Sequence, residues 1–242
     1  MSQTKNRLNL NNRKIWAIVP AAGSGQRFSK TELKQYQMLQ GKTVLEHSIA
    51  RLMQLPLAGY VLAVSAQDQF AQSLDLAGRE QALFCLGGTE RVDSVLNALN
   101  FLSDYAHPED WVLVHDAARP CVSLDCLENL LETAINQQCS AILAIPVRDT
   151  LKHVSNQQIN QTVSRDALWQ AQTPQIAPLA KLKQAILHAL EHDVQITDEA
   201  SALESLGETV KVVLGRSDNI KITYPEDLHL AQLILQAQQF ES

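Results

Sequence analysis

The chain has 242 residues, and 26 acidic against 20 basic side chains leave a formal net charge of −6. Hydrophobic residues make up 45% and charged residues 19%, values typical of a globular protein, so disorder over most of the length is excluded. The acidic balance argues against a protein that coats nucleic acid, whereas binding a nucleotide needs only a local basic cluster.

The first 14 residues are polar and lack an apolar segment, so we expect a flexible N-terminal tail and no secretory signal. No stretch approaches the apolar length that a membrane helix needs, so we expect no membrane contact. The four cysteines form no Cys-x-x-Cys pair and no zinc spacing. Free thiols in a reducing compartment follow, which indicates a cytoplasmic protein.

Short apolar runs then alternate with longer amphipathic patterns as far as Pro146. The apolar runs predict strands over 15–20, 60–65, 82–86, 111–115 and 140–146. The amphipathic spacing predicts helices over 43–54, 90–102 and 123–136. Near-continuous apolar strands that alternate with such helices indicate an α/β fold whose mainly parallel sheet is covered by helices on both faces.

This pattern breaks after Pro146, where residues 148–165 are polar and irregular. A turn signal at Ser155-Asn156-Gln157-Gln158 lies between two short stretches with strand character. We therefore expect a protruding β-hairpin arm over about 148–170, which is a candidate contact between subunits; a surface loop is the alternative.

Regular patterns resume after the arm. Helices are predicted over 178–191, from Asp198 and Glu199 to a stop at Gly207, and from Pro225 onward. Strands are predicted over 210–214 and 220–223. Because the sequence has neither repeats nor an interdomain linker, we expect residues 15–242 to form one domain that carries the arm.

The loop after the first strand has small residues followed by cations. Ligands of open α/β sheets bind at such loops, where backbone N–H groups can approach phosphates. The loop matches neither the Walker pattern nor the dinucleotide fingerprint, whose third glycine is replaced by Phe28. Arg27, Lys30 and Lys34 make a triphosphate the better candidate ligand, and a tight turn with solvated cations is the alternative.

Two further strand ends carry candidate binding residues. Asp116 follows the strand over 111–115 and is placed to bind a hydroxyl or a metal-bound water, or simply to cap its loop. Gly88 follows another strand and opens a helix, so the chain could pass close to a flat base that Ser94 then bonds; a tight turn is the alternative.

Together these residues resemble the 2-C-methyl-D-erythritol 4-phosphate cytidylyltransferase family from about residue 15 to about residue 235. The matching segments are Pro20-Ala-Ala-Gly-Ser-Gly-Gln-Arg27 with Lys34-Gln-Tyr36, Gly88-x-Glu-Arg-x-Asp-Ser94, Val114-His-Asp-Ala-Ala-Arg-Pro120, Pro146-Val-Arg-Asp-Thr150, Thr173-Pro-Gln175, Ile196-Thr-Asp-Glu-Ala-Ser201 and Asp218-Asn-Ile-Lys-Ile-Thr223. The first loop is shared by many nucleotidyltransferases, whereas the ordered set with its spacing is far more specific.

The resemblance implies a Rossmann-like fold and a homodimer formed through the arm, with sites that use both subunits. It implies transfer of the cytidylyl group of CTP to methylerythritol phosphate, with release of pyrophosphate, in non-mevalonate isoprenoid synthesis. The implied roles are catalysis for Arg27 and Lys34, sugar-phosphate positioning for Arg165 and Lys221, nucleotide binding for Ala21, Ala22, Gly23, Gly25, Gly88, Ser94 and Asp116, and substrate-pocket contacts for Arg119, Thr150 and Thr197.

The chemistry agrees with these roles. A phosphate monoester is already anionic near neutral pH, so the reaction needs cations more than it needs a general base. We expect Mg²⁺ or another divalent cation, held mostly by phosphates and water with Asp116 as a candidate ligand. Thr89 stands where the family pattern predicts an acidic residue, which bears on base recognition. The alternatives are a cytidylyltransferase for another polyol phosphate, such as ribitol phosphate, and a nucleotide-sensing module without catalysis.

Overall fold

The computed structural model describes residues 10–23, 28–29 and 33–240. Its strands are β1 (Ile15–Pro20), β2 (Met38–Leu39), β3 (Lys42–Thr43), β4 (Gly59–Val64), β5 (Ala82–Leu86), β6 (Trp111–Val114), β7 (Ser140–Pro146), β8 (Leu151–Ser155), β9 (Gln158–Val163), β10 (Trp169–Pro178) and β11 (Val210–Leu214). Its α-helices are α1 (Val44–Leu52), α2 (Phe70–Ser73), α3 (Arg91–Leu102), α4 (Leu124–Gln137), α5 (Leu179–Glu191), α6 (Glu199–Ser205) and α7 (Glu226–Phe240). Short 3₁₀ helices cover Lys34–Tyr36 and Arg79–Gln81.

A seven-stranded sheet in the order β11-β7-β10-β6-β1-β4-β5 organises the described residues. Strand β1 pairs in parallel with β4 and β6, β4 pairs in parallel with β5, and β7 pairs in parallel with β11. Strand β10 is antiparallel to both of its neighbours, β6 and β7. The expected mainly parallel Rossmann-like α/β sheet is therefore confirmed.

Strand β10 lies between β6 and β7, although no strand was predicted there. Its sequence carries three glutamines and two prolines, which hide the apolar signal of a central strand. The buried polar side chains are satisfied individually instead. Gln175 donates to Asp198 and accepts from the backbone N–H of Ala200, and Gln172 donates to the carbonyl of Arg216.

Helices cover both faces of the sheet, as the sequence predicts. On one face, buried side chains of α1 and α4 such as Leu45 and Leu127 pack with Leu113 of β6. On the other face, Leu99 of α3 and Leu182 of α5 form a second apolar cluster. The two clusters hold the sheet rigid between them, so the carboxyl ends of β1 and β6 are fixed relative to each other.

Side chains cap the starts of three helices. Thr43 and Glu46 form a capping box at the start of α1, and Ser123 caps α4 through the N–H of Cys126. Asp198 lies one position outside α6 as its N-cap, with Glu199 as the first helical residue.

The strand predicted over 220–223 is wrong. These residues have irregular backbone in the structure, with a backbone hydrogen bond from Ile222 to the carbonyl of Ala118. Ile222 is fully buried in a small cluster with Phe28 and Val44. The alternating apolar pattern therefore reflects the packing of Ile222 and, in part, Ile220 against the body, and not pairing within a sheet.

Strands β8 and β9 form the expected hairpin, with Asn156 and Gln157 at its turn. Both turn residues have positive φ, 50° and 64°, as a tight hairpin turn requires. Most of the hairpin residues are exposed, including Ile159. We call β8, β9 and their turn the arm.

The described end of the expected N-terminal tail contacts the body, because Arg13 donates to Gln138 and the N–H of Lys14 donates to Asp110. Residues 1–9 lie outside the described residues. Among the helices of the described segments, none is both long and apolar enough to span a membrane.

Candidate active site

A cleft of about 460 Å³ opens at the carboxyl ends of β1 and β6. Its walls come from the loop after β1, the 3₁₀ helix at residue 34, the start of α3, the loop after β6 and the segment before α7. The lining residues are Pro20, Ala21, Gly23, Lys34, Gln35, Gly88, Thr89, Glu90, Arg91, Ser94, Asp116, Ala117, Ala118, Lys221 and Thr223. Six predicted nucleotide or catalytic positions thus meet here with Lys221, which was assigned to the sugar phosphate.

The loop after β1 is joined to the segment that carries Lys34. Gln35 is 3% exposed, and its amide Nε2 donates to the carbonyl of Ala21 at 2.8 Å. The phenol of Tyr36 donates to the carboxylate of Asp68, which also accepts from the N–H of Ala71 at the start of α2. These anchors fix Lys34 on the wall of the cleft beside the small-residue loop. Two predicted residues of that loop, Gly25 and Arg27, lie outside the described residues.

Close packing explains the two glycines of the next loop. A Cβ atom on Gly87 would lie 2.3 Å from the Cβ of Ala22, and one on Gly88 would lie 2.1 Å from the Cβ of Asp93. Ser94 Oγ accepts from the N–H of Gly88 at 3.0 Å. This loop therefore lies directly against the loop after β1, and Ala22 contributes to that contact without lining the cleft.

Asp116 is the centre of a buried network of charges. Its Oδ1 accepts from Nε of Arg91 at 2.9 Å, and its Oδ2 lies 2.7 Å from Nζ of Lys221 and 3.6 Å from Nε of Arg119. Arg91 also donates from Nη1 and Nη2 to the two oxygens of Glu199, at 2.6 and 3.0 Å. Three cations and two carboxylates therefore share one end of the cleft.

The network sets the charge of Asp116. Burial alone would raise the pKa of this carboxyl, but Arg91, Lys221 and Arg119 outweigh that effect and hold the pKa well below its usual value. Burial would lower the pKa of Arg91, and the charges of Glu199 and Asp116 raise it instead. Asp116 is therefore ionised at neutral pH.

His115 is a neutral side chain that holds the backbone of the loop carrying Asp116 and Arg119. Burial lowers its pKa to about 4. Its Nε2 lies 3.0 Å from the carbonyl of Arg119 and must donate to it, so Nδ1 accepts from the hydroxyl of Thr173 at 3.1 Å. The same hydroxyl accepts from the N–H of Asp116 at 3.0 Å. The ring therefore holds the loop after β6 in place. Because both of its nitrogens are hydrogen-bonded within the protein, it is not placed to transfer a proton to a substrate.

Arg119 binds the segment that carries Lys221. Its Nη1 donates to the carbonyl of Asn219 at 2.6 Å, and its side chain is 11% exposed. Asn219 in turn donates to the carbonyl of Thr173 at 3.0 Å. Arg119 was assigned to the substrate pocket, but in this structure its charge is turned toward Asp116 and the backbone beneath the cleft.

The remaining predicted residues lie away from the cleft. Thr150 and Arg165 are exposed at the base of the arm, where Arg165 donates to the carbonyl of Arg148. Thr197 lines a separate hollow of about 90 Å³ together with Glu199. Arg91 borders both cavities, so the Arg91–Glu199 pair forms the wall between Thr197 and the cleft.

Arg91 and Glu199 both lie within the matching sequence segments, but the family resemblance implies a role in the site for neither. The sequence indicates Glu199 only as an acidic residue that favours the start of a helix. The motif positions were a usable signal, but nothing in the sequence pairs residue 91 with residue 199. Their contact depends on how α3 and α6 lie against each other.

The described residues offer few protein ligands for a metal ion. No group of three or more His, Cys, Asp or Glu side chains in these segments is placed to hold a metal ion. Asp116 offers one carboxylate, whose oxygens already face three cations. A divalent ion would therefore take most of its ligands from phosphates and water.

Comparisons with known proteins give one consistent family. The family model IspD, 2-C-methyl-D-erythritol 4-phosphate cytidylyltransferase, matches residues 15–237. A protein of that name from Acinetobacter baumannii is 66% identical over 226 residues, which cover 93% of this chain and 95% of the relative. One from Vibrio parahaemolyticus is 48% identical over 221 residues, which cover 90% and 94%.

Solved structures agree. The crystal structure of the Francisella tularensis 2-C-methyl-D-erythritol 4-phosphate cytidylyltransferase superposes with a TM-score of 0.80 at 37% identity. The match covers 91% of this chain and 99% of that one. The similarity therefore extends over the sheet, its covering helices and the loops around the cleft.

Proposed function

The chain belongs to the 2-C-methyl-D-erythritol 4-phosphate cytidylyltransferase family, and from that premise we propose how its cleft carries out the family's reaction. The enzyme is a CTP-dependent nucleotidyltransferase that forms 4-diphosphocytidyl-2-C-methyl-D-erythritol. An oxygen of the sugar phosphate attacks the α-phosphorus of CTP, the bond from that phosphorus to the bridging oxygen breaks, and pyrophosphate leaves. This step belongs to isoprenoid biosynthesis.

The observation that carries the proposal is the meeting of Lys34, Asp116 and Lys221 in one cleft with the two small-residue loops. Both reactants are anions, so the barrier is largely electrostatic, and positioned cations lower it. The nucleophile is already ionised, and the neutral, fully hydrogen-bonded His115 is consistent with a reaction that needs no general base.

On the nucleotide side, we assign the loop Ala21 to Gly25 to the phosphates of CTP. Gly88 and Ser94 border the region for the cytosine base, and Asp116 faces the ribose. Lys34, together with Arg27, stabilises the charge that develops around the α-phosphorus. Lys34 acts as a point charge on a flexible stem, and Arg27 as a planar donor to two oxygens.

On the sugar-phosphate side, we assign Lys221 and Arg165 to the incoming phosphate, with Arg119, Thr150 and Thr197 as further pocket positions. Lys221 already lines the cleft, whereas Arg165 and Thr150 lie at the base of the arm. We therefore propose a homodimer in which the arm of one subunit completes the cleft of the other. Residues 15–242 then act as one nucleotidyltransferase domain with the arm as its extension.

We propose Mg²⁺ as the divalent cation, with Asp116 as its candidate protein ligand. When bound, the ion would neutralise part of the triphosphate charge. The protein's own contribution is the network around Asp116, which keeps that carboxylate ionised. The four free cysteines, whose thiol pKa values burial raises, suit a reducing compartment, so we also propose a cytoplasmic location.

The test is pyrophosphate release by the purified protein from CTP, in the presence of Mg²⁺, with 2-C-methyl-D-erythritol 4-phosphate or ribitol 5-phosphate as acceptor. We expect turnover with the first acceptor and with CTP in preference to ATP, GTP and UTP. Preferred turnover with ribitol 5-phosphate would favour the alternative polyol substrate. Binding of CTP without pyrophosphate release would indicate a sensing module.

A further inference from the structure

Glu199 is a buried carboxylate to which the reaction above gives no part. It is the first residue of α6 and is only 3% exposed. Both of its oxygens accept hydrogen bonds from one guanidinium, that of Arg91, in a parallel two-bond arrangement at 2.6 and 3.0 Å. The desolvation cost of a buried ion pair can exceed the attraction between its charges, so added stability does not by itself account for the Arg91–Glu199 pair.

Arg91 passes the effect of this pair to the cleft. With Nη1 and Nη2 held by Glu199, its Nε is the nitrogen that donates to Asp116, at 2.9 Å. That bond takes Oδ1 of Asp116, and Oδ2 faces Nζ of Lys221 at 2.7 Å. The orientation of the guanidinium therefore decides which oxygen of Asp116 remains for Lys221.

We propose that Glu199 is a positioning residue for cytidylyl transfer: it holds two nitrogens of Arg91, limits Arg91 to a single contact with Asp116, and so leaves the second oxygen of Asp116 to place Lys221. The proposal rests on the assignment of Asp116 and Lys221 to the site.

The charges at this end of the cleft support this role. Arg91, Arg119 and Lys221 against Asp116 and Glu199 leave one net positive charge among the five side chains. Without the charge of Glu199, Arg91 is free to turn its fork to both oxygens of Asp116, which is the favoured geometry of an arginine–carboxylate pair. Lys221 would then lose its partner and its place on the wall of the cleft.

Four variants test the proposal: Glu199→Gln, Arg91→Lys, the two combined, and Glu204→Gln as a matched control on the exposed side of the same helix. We expect Glu199→Gln to lower kcat/KM for methylerythritol phosphate about tenfold or more, a change of about 1.4 kcal/mol, while KM for CTP changes by less than about threefold. Arg91→Lys should have a similar effect because a lysine cannot hold both oxygens of Glu199 and Oδ1 of Asp116 at once, so Asp116 loses the fixed contact that orients it toward Lys221. If Glu199 acts only through Arg91, the combined variant is about as impaired as the worse single one.

Two results would overturn the proposal. One is a Glu199→Gln protein with a lower Tm and unchanged kcat/KM for both substrates, since that is a structural role alone. The other is a combined variant whose losses multiply. If Glu199→Gln does not fold, Arg91→Lys decides in its place, and unchanged kcat/KM for methylerythritol phosphate contradicts the proposal. The unmodified enzyme and Glu204→Gln report on the reaction itself, so failure of the assigned function appears in every protein of the series.

Discussion

The cleft and the arm both carry residues assigned to the reaction, but their side chains lie in opposite surroundings. In the cleft, Asp116 is nearly buried, its N–H is bonded to Thr173, and its carboxylate faces three cations. At the base of the arm, Arg165 is exposed and donates to a nearby carbonyl. One region is built and fixed by the core of its own chain, whereas the other is not.

This difference indicates how the site is divided. The positions assigned to the nucleotide lie on loops that the central sheet brings together. Positions at the base of the arm have no such support in the single chain. The proposed second copy supplies what is missing, because a hairpin with exposed apolar side chains such as Ile159 and Val154 gains by packing against a partner.

The largest effect is expected at the cleft. Lys34→Ala should lower kcat about 100- to 1,000-fold, the usual cost of removing one preorganised charge-stabilising group. The fold should persist, because Lys34 lies on a surface wall while Gln35 makes the buried anchor. Pyrophosphate release and circular dichroism measure the two outcomes. Near-normal turnover would remove Lys34 from the catalytic set.

We expect His115, which lies beneath the cleft, to make the free energy of unfolding depend on pH. His115 has a folded-state pKa of about 4 against 6.5 ordinarily, so the unfolded chain binds its proton first as pH falls. Its contribution is complete above pH 6.5 and is lost between about pH 6.5 and pH 4, a change of about 3 kcal/mol in the free energy of unfolding. Asp116 loses its contribution only at lower pH, since its pKa lies well below 3.8.

Denaturant unfolding from pH 7 to pH 4 measures this slope. His115→Gln should be less stable at pH 7 and should have a flatter profile over that window. His229→Gln, a substitution at an exposed position, should keep the profile of the unmodified protein. If His115→Gln kept the full slope, the buried neutral ring would not be its source.

A smaller and more selective effect is expected at the base of the arm. Arg165→Ala should raise KM for methylerythritol phosphate about 10- to 100-fold by removing one charged contact to its phosphate. KM for CTP and the free energy of unfolding of the chain should change little, because the side chain is exposed. Lys152→Ala, which removes another exposed arm cation, is the control. An equal rise of KM for both substrates would contradict this assignment.

Periodicity was a sufficient guide to much of the fold and failed at specific places. Most strands and the main helices lie within a few residues of their predicted positions, because their apolar side chains form one face or a continuous run. Strand β10 was missed because its buried glutamines are satisfied by partners far along the chain. The strand predicted over 220–223 was wrong because isoleucines that pack against the body from an irregular segment can imitate an alternating pattern.

The sequence likewise predicts some residues of the site and not others. Loop residues such as Gly88 and Asp116 could be predicted because they follow strands, and strand ends of an α/β sheet meet at one edge. The Arg91–Glu199 pair could not, since it depends on the packing of two helices. The proposals for Arg165 and Thr150 depend on a second chain, and the residue pattern of one sequence does not indicate where a second chain lies.

The division of the site between two chains is the central claim, and mixed dimers test it most directly. Lys34→Ala and Arg165→Ala subunits, each with its own affinity tag, are co-expressed, and dimers that carry both tags are purified and assayed at low methylerythritol phosphate. If the arm serves the partner's cleft, one of the two sites has both Lys34 and Arg165 intact, and the mixed dimer has about half the activity of the unmodified enzyme. A mixed dimer no more active than its two parent variants would show that each cleft uses its own arm, and would contradict the account.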